Sequence, residues 1–137
     1  MKPYILDACA LIAYFNDEQG ADAVSECIRD LNNGIILLLL HKINLLEIYY
    51  NYYKESGKKL ADDVLTDVTS SGIHIINDIS NDVLSTAGRL KSTYKISLGD
   101  AILLAQAFVN GAAVITCDHH EFDFIEKKEP IVFKWIR

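Results

Sequence analysis

The chain of 137 residues is 50% hydrophobic and 23% charged, which suits one domain spanning residues 1–137 with a sizeable core and leaves little room for a second. Seven glycines and two prolines, with no stretch biased toward Ser, Gly, Pro or one charge sign, argue against a disordered tail or linker. A formal charge of -6, from 13 basic and 19 acidic side chains, argues against a protein that coats nucleic acid through bulk electrostatics, although carboxylates grouped to hold divalent cations would also count as negative in this arithmetic.

In chain order, Pro3 to Leu6 reads as a short buried strand, and an apolar helix follows from Ala8 to Phe15. Ala21 to Asn32 has helical spacing at Ala23, Val24, Cys27, Ile28 and Leu31, with Gly34 placed to end the turn. The run IILLLL, Ile35 to Leu40, is short and uniformly apolar, which predicts a central strand buried on both faces. Ile43 to Ser56 and Lys59 to Thr69 read as two helices able to form a hairpin. Ile73 to Ile76 is a further strand, and Ser80 is a natural cap for a helix reaching Tyr94. Leu98 to Asn110 is apolar around most of its circumference, which predicts an interior helix stopped by Gly111. Ala113 to Thr116 is a strand, the segment after Asp118 turns into a helix, and Ile131 to Ile136 is the last strand. Short aliphatic strands alternating with helices predict an α/β sandwich with a mostly parallel sheet, whose reactive groups gather outside the carboxyl ends of the strands.

Cys9, Cys27 and Cys117 form no CxxC pair and are odd in number, which fits a reducing cytoplasm rather than a disulfide framework or zinc knuckle. The segment after Met1 is strand-like and lacks the pattern of a signal peptide, and the longest aliphatic run is too short to cross a bilayer. A soluble protein is expected.

Most of the acids lie on polar faces where solvation explains them; four do not. Asp7 stands between PYIL and ACALIAYF, a lone charge at a strand's end that is open to two roles, helix cap or ligand. Glu47, in INLLEIYY, has Ile43, Asn44, Tyr50 and Asn51 at its helical neighbour positions and no local cation to pair with. Asp100, in SLGDAILLAQA, has the S-x-x-D spacing of a capping box with Ser97, yet stands at the mouth of the most buried helix. Asp118 ends AAVIT and repeats the pattern of Asp7: strand, carboxylate, helix. All four can converge on one edge of the sheet. Converging carboxylates repel unless a cation compensates, and an all-oxygen donor set suits Mg²⁺ or Mn²⁺ rather than zinc. Such a site is apt for phosphodiester hydrolysis without a covalent nucleophile, and the chain has no P-loop or GxGxxG cradle.

In this order, ILDACALIAYF, INLLEIYY, ISLGDAILLAQA and VITCDHHEF resemble the four motifs of the PIN-domain family of metal-dependent ribonucleases, most nearly the VapC-type toxins of toxin–antitoxin pairs. The resemblance spans the chain and implies a three-layer α/β/α sandwich. It implies Asp7 and Asp100 as the principal Mg²⁺ (or Mn²⁺) ligands, Glu47 as a further ligand, direct or through water, and Asp118 as completing or positioning a second ion. Thr116 would orient Asp118 or a water. Where the family often has Ser or Thr, this chain has Cys9, a weaker donor, which would leave a supporting hydrogen bond missing; Gly99 would loosen the start of the following helix.

Other features fit around this reading. His119 and His120 point apart and suit RNA phosphate contact or plain exposure better than coordination, and His41 and His74 read as ordinary strand-end residues. Tyr49, Tyr50, Tyr52 and Tyr53 suit either core packing in the helical hairpin or an interface for a second subunit or an antitoxin helix. Among the basic residues, Arg89, Lys91 and Lys95 are candidates to flank the carboxylates and hold RNA phosphates. The expectation is a Mg²⁺- or Mn²⁺-dependent endoribonuclease, the toxin of a pair, forming a homodimer and inhibited by an antitoxin that covers its site. The alternatives are a PIN-like module that binds RNA or protein without cutting, and a PIN nuclease of RNA maturation with no antitoxin.

Overall fold

In the computed structural model, which describes Met1–Arg137, five short aliphatic strands lie side by side: β1 (Lys2–Leu6), β2 (Ile36–His41), β3 (His74–Ile76), β4 (Ala113–Thr116) and β5 (Phe133–Trp135). Every pairing is parallel, in the order β3-β2-β1-β4-β5, so the sheet is wholly parallel. Parallel strands need crossovers, and helices supply them: α1 (Ala8–Phe15), α2 (Ala21–Asn32), α3 (Lys42–Ser56), α4 (Lys58–Thr69), α5 (Asn81–Thr93), α6 (Leu98–Asn110) and α7 (His119–Lys128).

Alternation along the strands divides the core in two. Leu6, Leu38, Leu40 and Ile115 face α1 to α4, whereas Ile5, Leu39 and Val114 face α5 to α7. The result is the expected three-layer α/β/α sandwich. Helix α6 is its most enclosed helix, with Ala101 to Ala107 all buried, and it ends at Gly111 in the left-handed conformation. Ser80 caps α5 by accepting from the Val83 N–H at 3.2 Å.

Several boundaries shift by a residue or two, the last strand shortens from Ile131–Ile136 to Phe133–Trp135, and both ends of β2 differ from expectation for local reasons. Ile35 stands outside β2 and is 58% exposed, because the left-handed turn at Gly34 (φ 71°) still holds it. At the other end His41 extends the strand and has a specific task. Its Nδ1 accepts from the Ile43 N–H at 3.1 Å and so caps α3, while Nε2 donates to the Asp78 carbonyl at 3.0 Å. Burial holds its pKa below the ordinary histidine value, which keeps the ring neutral for this pair of bonds.

The chain adds β2 and β3 on one side of β1, then returns to add β4 and β5 on the other. That reversal opens a crevice outside the carboxyl ends of β1 and β4, where the next residues point. Because Leu103 in α6 is fully enclosed in the second core half, Leu103→Ala should lower the unfolding free energy by about 2–5 kcal/mol. A urea transition with a lower midpoint and unchanged slope is the expected reading.

Candidate active site

Asp7 is the first residue past β1. Its N–H still donates to the Ile115 carbonyl at 3.0 Å, so the backbone is pinned to β4. Although Asp7 occupies the cap position of α1, its side chain makes no capping bond. Oδ2 instead accepts from Thr116 Oγ1 at 2.8 Å and lies 3.3 Å from Cys9 Sγ, and no hydrogen bond reaches Oδ1. The same Thr116 oxygen accepts from the Asp118 N–H at 3.1 Å, so one hydroxyl joins the ends of β1 and β4. The thiol of Cys9 does reach the carboxylate, contrary to the expectation of a missing contact.

Of the other three acids, Asp118 and Asp100 stand at helix starts and Glu47 lies in the second turn of α3. Asp118 caps α7, its Oδ1 accepting from the Glu121 N–H at 3.2 Å. At the start of α6, Ser97 Oγ accepts from the Asp100 N–H at 3.1 Å. On α3, Asn44 Nδ2 donates to Glu47 Oε1 at 3.0 Å and approaches the Gly99 carbonyl at 3.5 Å. Gly99 therefore does more than soften the start of a helix: a Cβ there would overlap Oε1 of Glu47, so the bare backbone makes room for that carboxylate.

Asp7, Glu47, Asp100 and Asp118 together line one cleft of about 310 Å³, with Cys9 and Ser97 among its walls. Glu121 lines it too, a fifth carboxylate that sequence reasoning missed. Its signal was the D-x-x-E spacing from Asp118, which places it at the third position of α7. Burial raises the Asp7 carboxyl well above the usual carboxylate range, with Cys9 and Glu47 adding to the effect and Thr116 opposing it. Asp100 is pushed up to about 7, by burial first and then by the charges of Asp7 and Glu47. Glu47 is raised by burial and partly relieved by Asn44.

The remaining expectations divide. His119 stacks on Trp135 at 3.8 Å between centroids and places its ring nitrogens 2.7 Å from Asp123 and 2.7 Å from the Arg137 carbonyl, so neither is turned to the cleft. Tyr52 is buried and donates to Asn16 at 2.8 Å, and Tyr49 ties α3 to α4 by donating to Asp62 at 2.7 Å, whereas Tyr50 and Tyr53 are exposed. The three basic residues grouped in sequence are separated in space. Arg89 makes a two-pronged pair with Glu129 at 2.8 and 3.1 Å, Lys91 lines an apolar groove between α5 and α6, and Lys95 alone borders a depression adjoining the cleft.

No three His, Cys, Asp or Glu side chains close into a metal cluster as they stand; the acids face a shared space. The donor set nevertheless fits a hard cation such as Mg²⁺, which binds through one or two carboxylates and keeps several waters. Buried carboxyls with raised proton affinity and one unbonded Asp7 oxygen are what such an ion would stabilise as anions.

An all-parallel sheet between two helical layers, with an acidic cleft at its switch point, defines an α/β/α domain whose carboxylates share one opening. The chain belongs to the PIN-domain family, whose model matches residues 4–128. No curated protein matches it. Among solved structures it is similar to VapBC of Salmonella typhimurium bound to DNA (17% identity, all of both chains, TM-score 0.75). It is also similar to VapBC2 of Rickettsia felis bound to a promoter fragment (21%, 96% of this chain and 97% of that one, TM-score 0.73). VapC20 of Mycobacterium tuberculosis, a toxin that cleaves the sarcin–ricin loop, shares the fold at 13% identity (81% and 86% covered, TM-score 0.62).

The raised Asp100 carboxyl fixes a pH dependence. Between the unfolded value near 4 and the folded value of about 7, the folded state holds the extra proton, so metal-free stability falls as pH rises through that window. Asp100→Asn removes the cost. It should stabilise the metal-free protein by about 1–2 kcal/mol at pH 8, allowing for solvent screening, and by nothing near pH 4. Thermal melts at both values check this, and equal melting temperatures at pH 8 would contradict it.

Proposed function

We propose that this protein is a Mg²⁺- or Mn²⁺-dependent endoribonuclease that hydrolyses RNA phosphodiester bonds, and that it is the toxin of a type II toxin–antitoxin pair. The observation that carries the reading is the meeting of Asp7, Glu47, Asp100 and Asp118, from four separate segments, in one cleft. PIN and VapC proteins are generally ribonucleases, and two of the similar structures are VapBC complexes.

Asp7 and Asp100 would hold the ion, with Glu47 joining directly or through water and Asp118 completing or positioning a second. A bound ion polarises the phosphate, lowers the pKa of an attacking water and stabilises the leaving oxygen. The chain's own groups prepare for this. Thr116 donates its proton to Oδ2 of Asp7 and so leaves Oδ1 without a hydrogen bond. Asn44 keeps Glu47 from swinging away, and Ser97 fixes the backbone that carries Asp100. The attacking water's proton would pass to solvent or a neighbouring carboxylate as the leaving oxygen regains one.

The partner would be an antitoxin covering the cleft, and the working form a homodimer in the cytoplasm. No helix is long and apolar enough to cross a membrane. One observation favours a second reading, a module that binds RNA or protein without cutting: a thiol, Cys9, stands at 3.3 Å from Asp7 where the family often has a hydroxyl. Cleavage separates the two. The wild type should cut RNA with Mg²⁺ or Mn²⁺ and stop on chelation, and Asp100→Asn should lose cleavage while its circular dichroism is unchanged. Undiminished cleavage by that folded variant would overturn the site assignment.

A further inference from the structure

Beside the acidic cleft lies a second groove of about 390 Å³, between the α5–α6 loop and the first turns of α7. Tyr94, Lys95 and Ile96 line one wall, and His120 and Phe124 the other. Glu121 lines both depressions, so they are continuous. Their chemistry is opposite. The cleft gathers carboxylates, whereas the groove offers the exposed Lys95, which enters no ion pair, and the exposed His120.

Its floor is aromatic without being buried. Phe124 is 59% exposed, whereas Phe122 and Ile125 of the same helix are buried. The ring is held rather than loose. Tyr94 meets it edge-on at 6.1 Å between centroids, and Lys128 places its ammonium 5.4 Å from the ring centre. Tyr94 is in turn fixed by donating to Glu129 at 2.6 Å, the carboxylate that also takes Arg89. Elsewhere, Lys58, Lys59 and Arg137 are occupied by Asp62, Asp63 and Glu18. Lys95 is thus a cation without an ion-pair partner on the wall of this groove, and Lys128 adds a second charge against the Phe124 ring.

We infer that the groove seats the nucleotide next to the scissile phosphate of a single-stranded RNA, its base on Phe124 and its phosphate toward Lys95 and His120; this rests on the nuclease reading above. A flat, supported ring beside unpaired cations is the pattern that binds an unstacked base together with its backbone. In duplex RNA the base faces are hidden, so the groove selects single strands. It also answers how an acidic protein holds a polyanion: the cations are local to the strand's path rather than spread over the surface.

Fluorescence anisotropy with a labelled, randomised single-stranded RNA of about 12 nucleotides tests this, in an Asp100→Asn background with Mg²⁺ present. Phe124→Ala should weaken binding about tenfold at fixed salt and leave the salt slope unchanged, and Phe124→Trp should retain affinity. Lys95→Ala should reduce the slope of log affinity against log salt by about 0.7. The exposed Lys54, which lines neither depression, serves as control, and Lys54→Ala should alter neither quantity. Unchanged affinity and slope in both groove variants, in a background that binds RNA, would overturn the subsite while leaving the nuclease reading standing. A duplex of equal length bound equally well through the same residues would also overturn it. Absence of RNA binding by the Asp100→Asn protein, together with absence of cleavage by the wild type, would overturn the nuclease reading itself and the subsite with it.

Discussion

The burial of several carboxylates together at the carboxyl ends of β1 and β4 is the constraint around which the site is arranged. Asp7 is almost wholly enclosed, and that burial, with Cys9 and Glu47 adding to it, raises the cost of ionising it; burial and the charges of Asp7 and Glu47 do the same to Asp100. A fold that needed only helix caps would not choose this. Asp7 declines the capping bond open to it at the start of α1 and turns to Thr116, across the sheet. The parallel register of β1 with β4 makes that bond possible, since it sets Leu6 opposite Ile115 and so Asp7 beside Thr116.

The groups that hold the acids apart are small and specific. Asn44 is fully buried, and its Oδ1 is the one buried side-chain atom without a hydrogen-bond partner. Leaving such an acceptor unpaired destabilises a protein by about 1–3 kcal/mol, a cost consistent with a side chain kept for the bond its Nδ2 gives to Glu47. Gly99 serves the same carboxylate by omission, because any side chain there would meet it. Together with Ser97 and Thr116, these residues make a rigid frame on helix starts and strand ends, where a site keeps its geometry better than on loops.

The strands, the order of helices and the four acids were readable from the sequence because each rests on a local pattern: IILLLL is too apolar to be exposed, and the carboxylates stand at breaks between apolar blocks. Where the deciding partner is distant in sequence, the reading fell short. Nothing near Arg89 announces Glu129, forty residues on, so a candidate phosphate ligand proved to be half of an ion pair. The four tyrosines of α3 look alike in sequence, yet Asn16 and Asp62 claim two and leave two in solvent. Gly99 read as a weak helix start because the Glu47 side chain that needs its space belongs to another helix. Glu121 was passed over because capping explains an acid at that position before the cleft is seen.

The central claim is that the crowded acids exist to hold a divalent cation, and it can be tested before any RNA is known. Mn²⁺ would be titrated calorimetrically into the wild type and Asp7→Asn near neutral pH, in two buffers of different ionisation heat. The account predicts saturable binding by the wild type with proton release, because a carboxyl of pKa about 7 must give up its proton to become a ligand, and loss of that binding in the variant. Undetectable binding by the wild type, or equal binding by the variant, would contradict it.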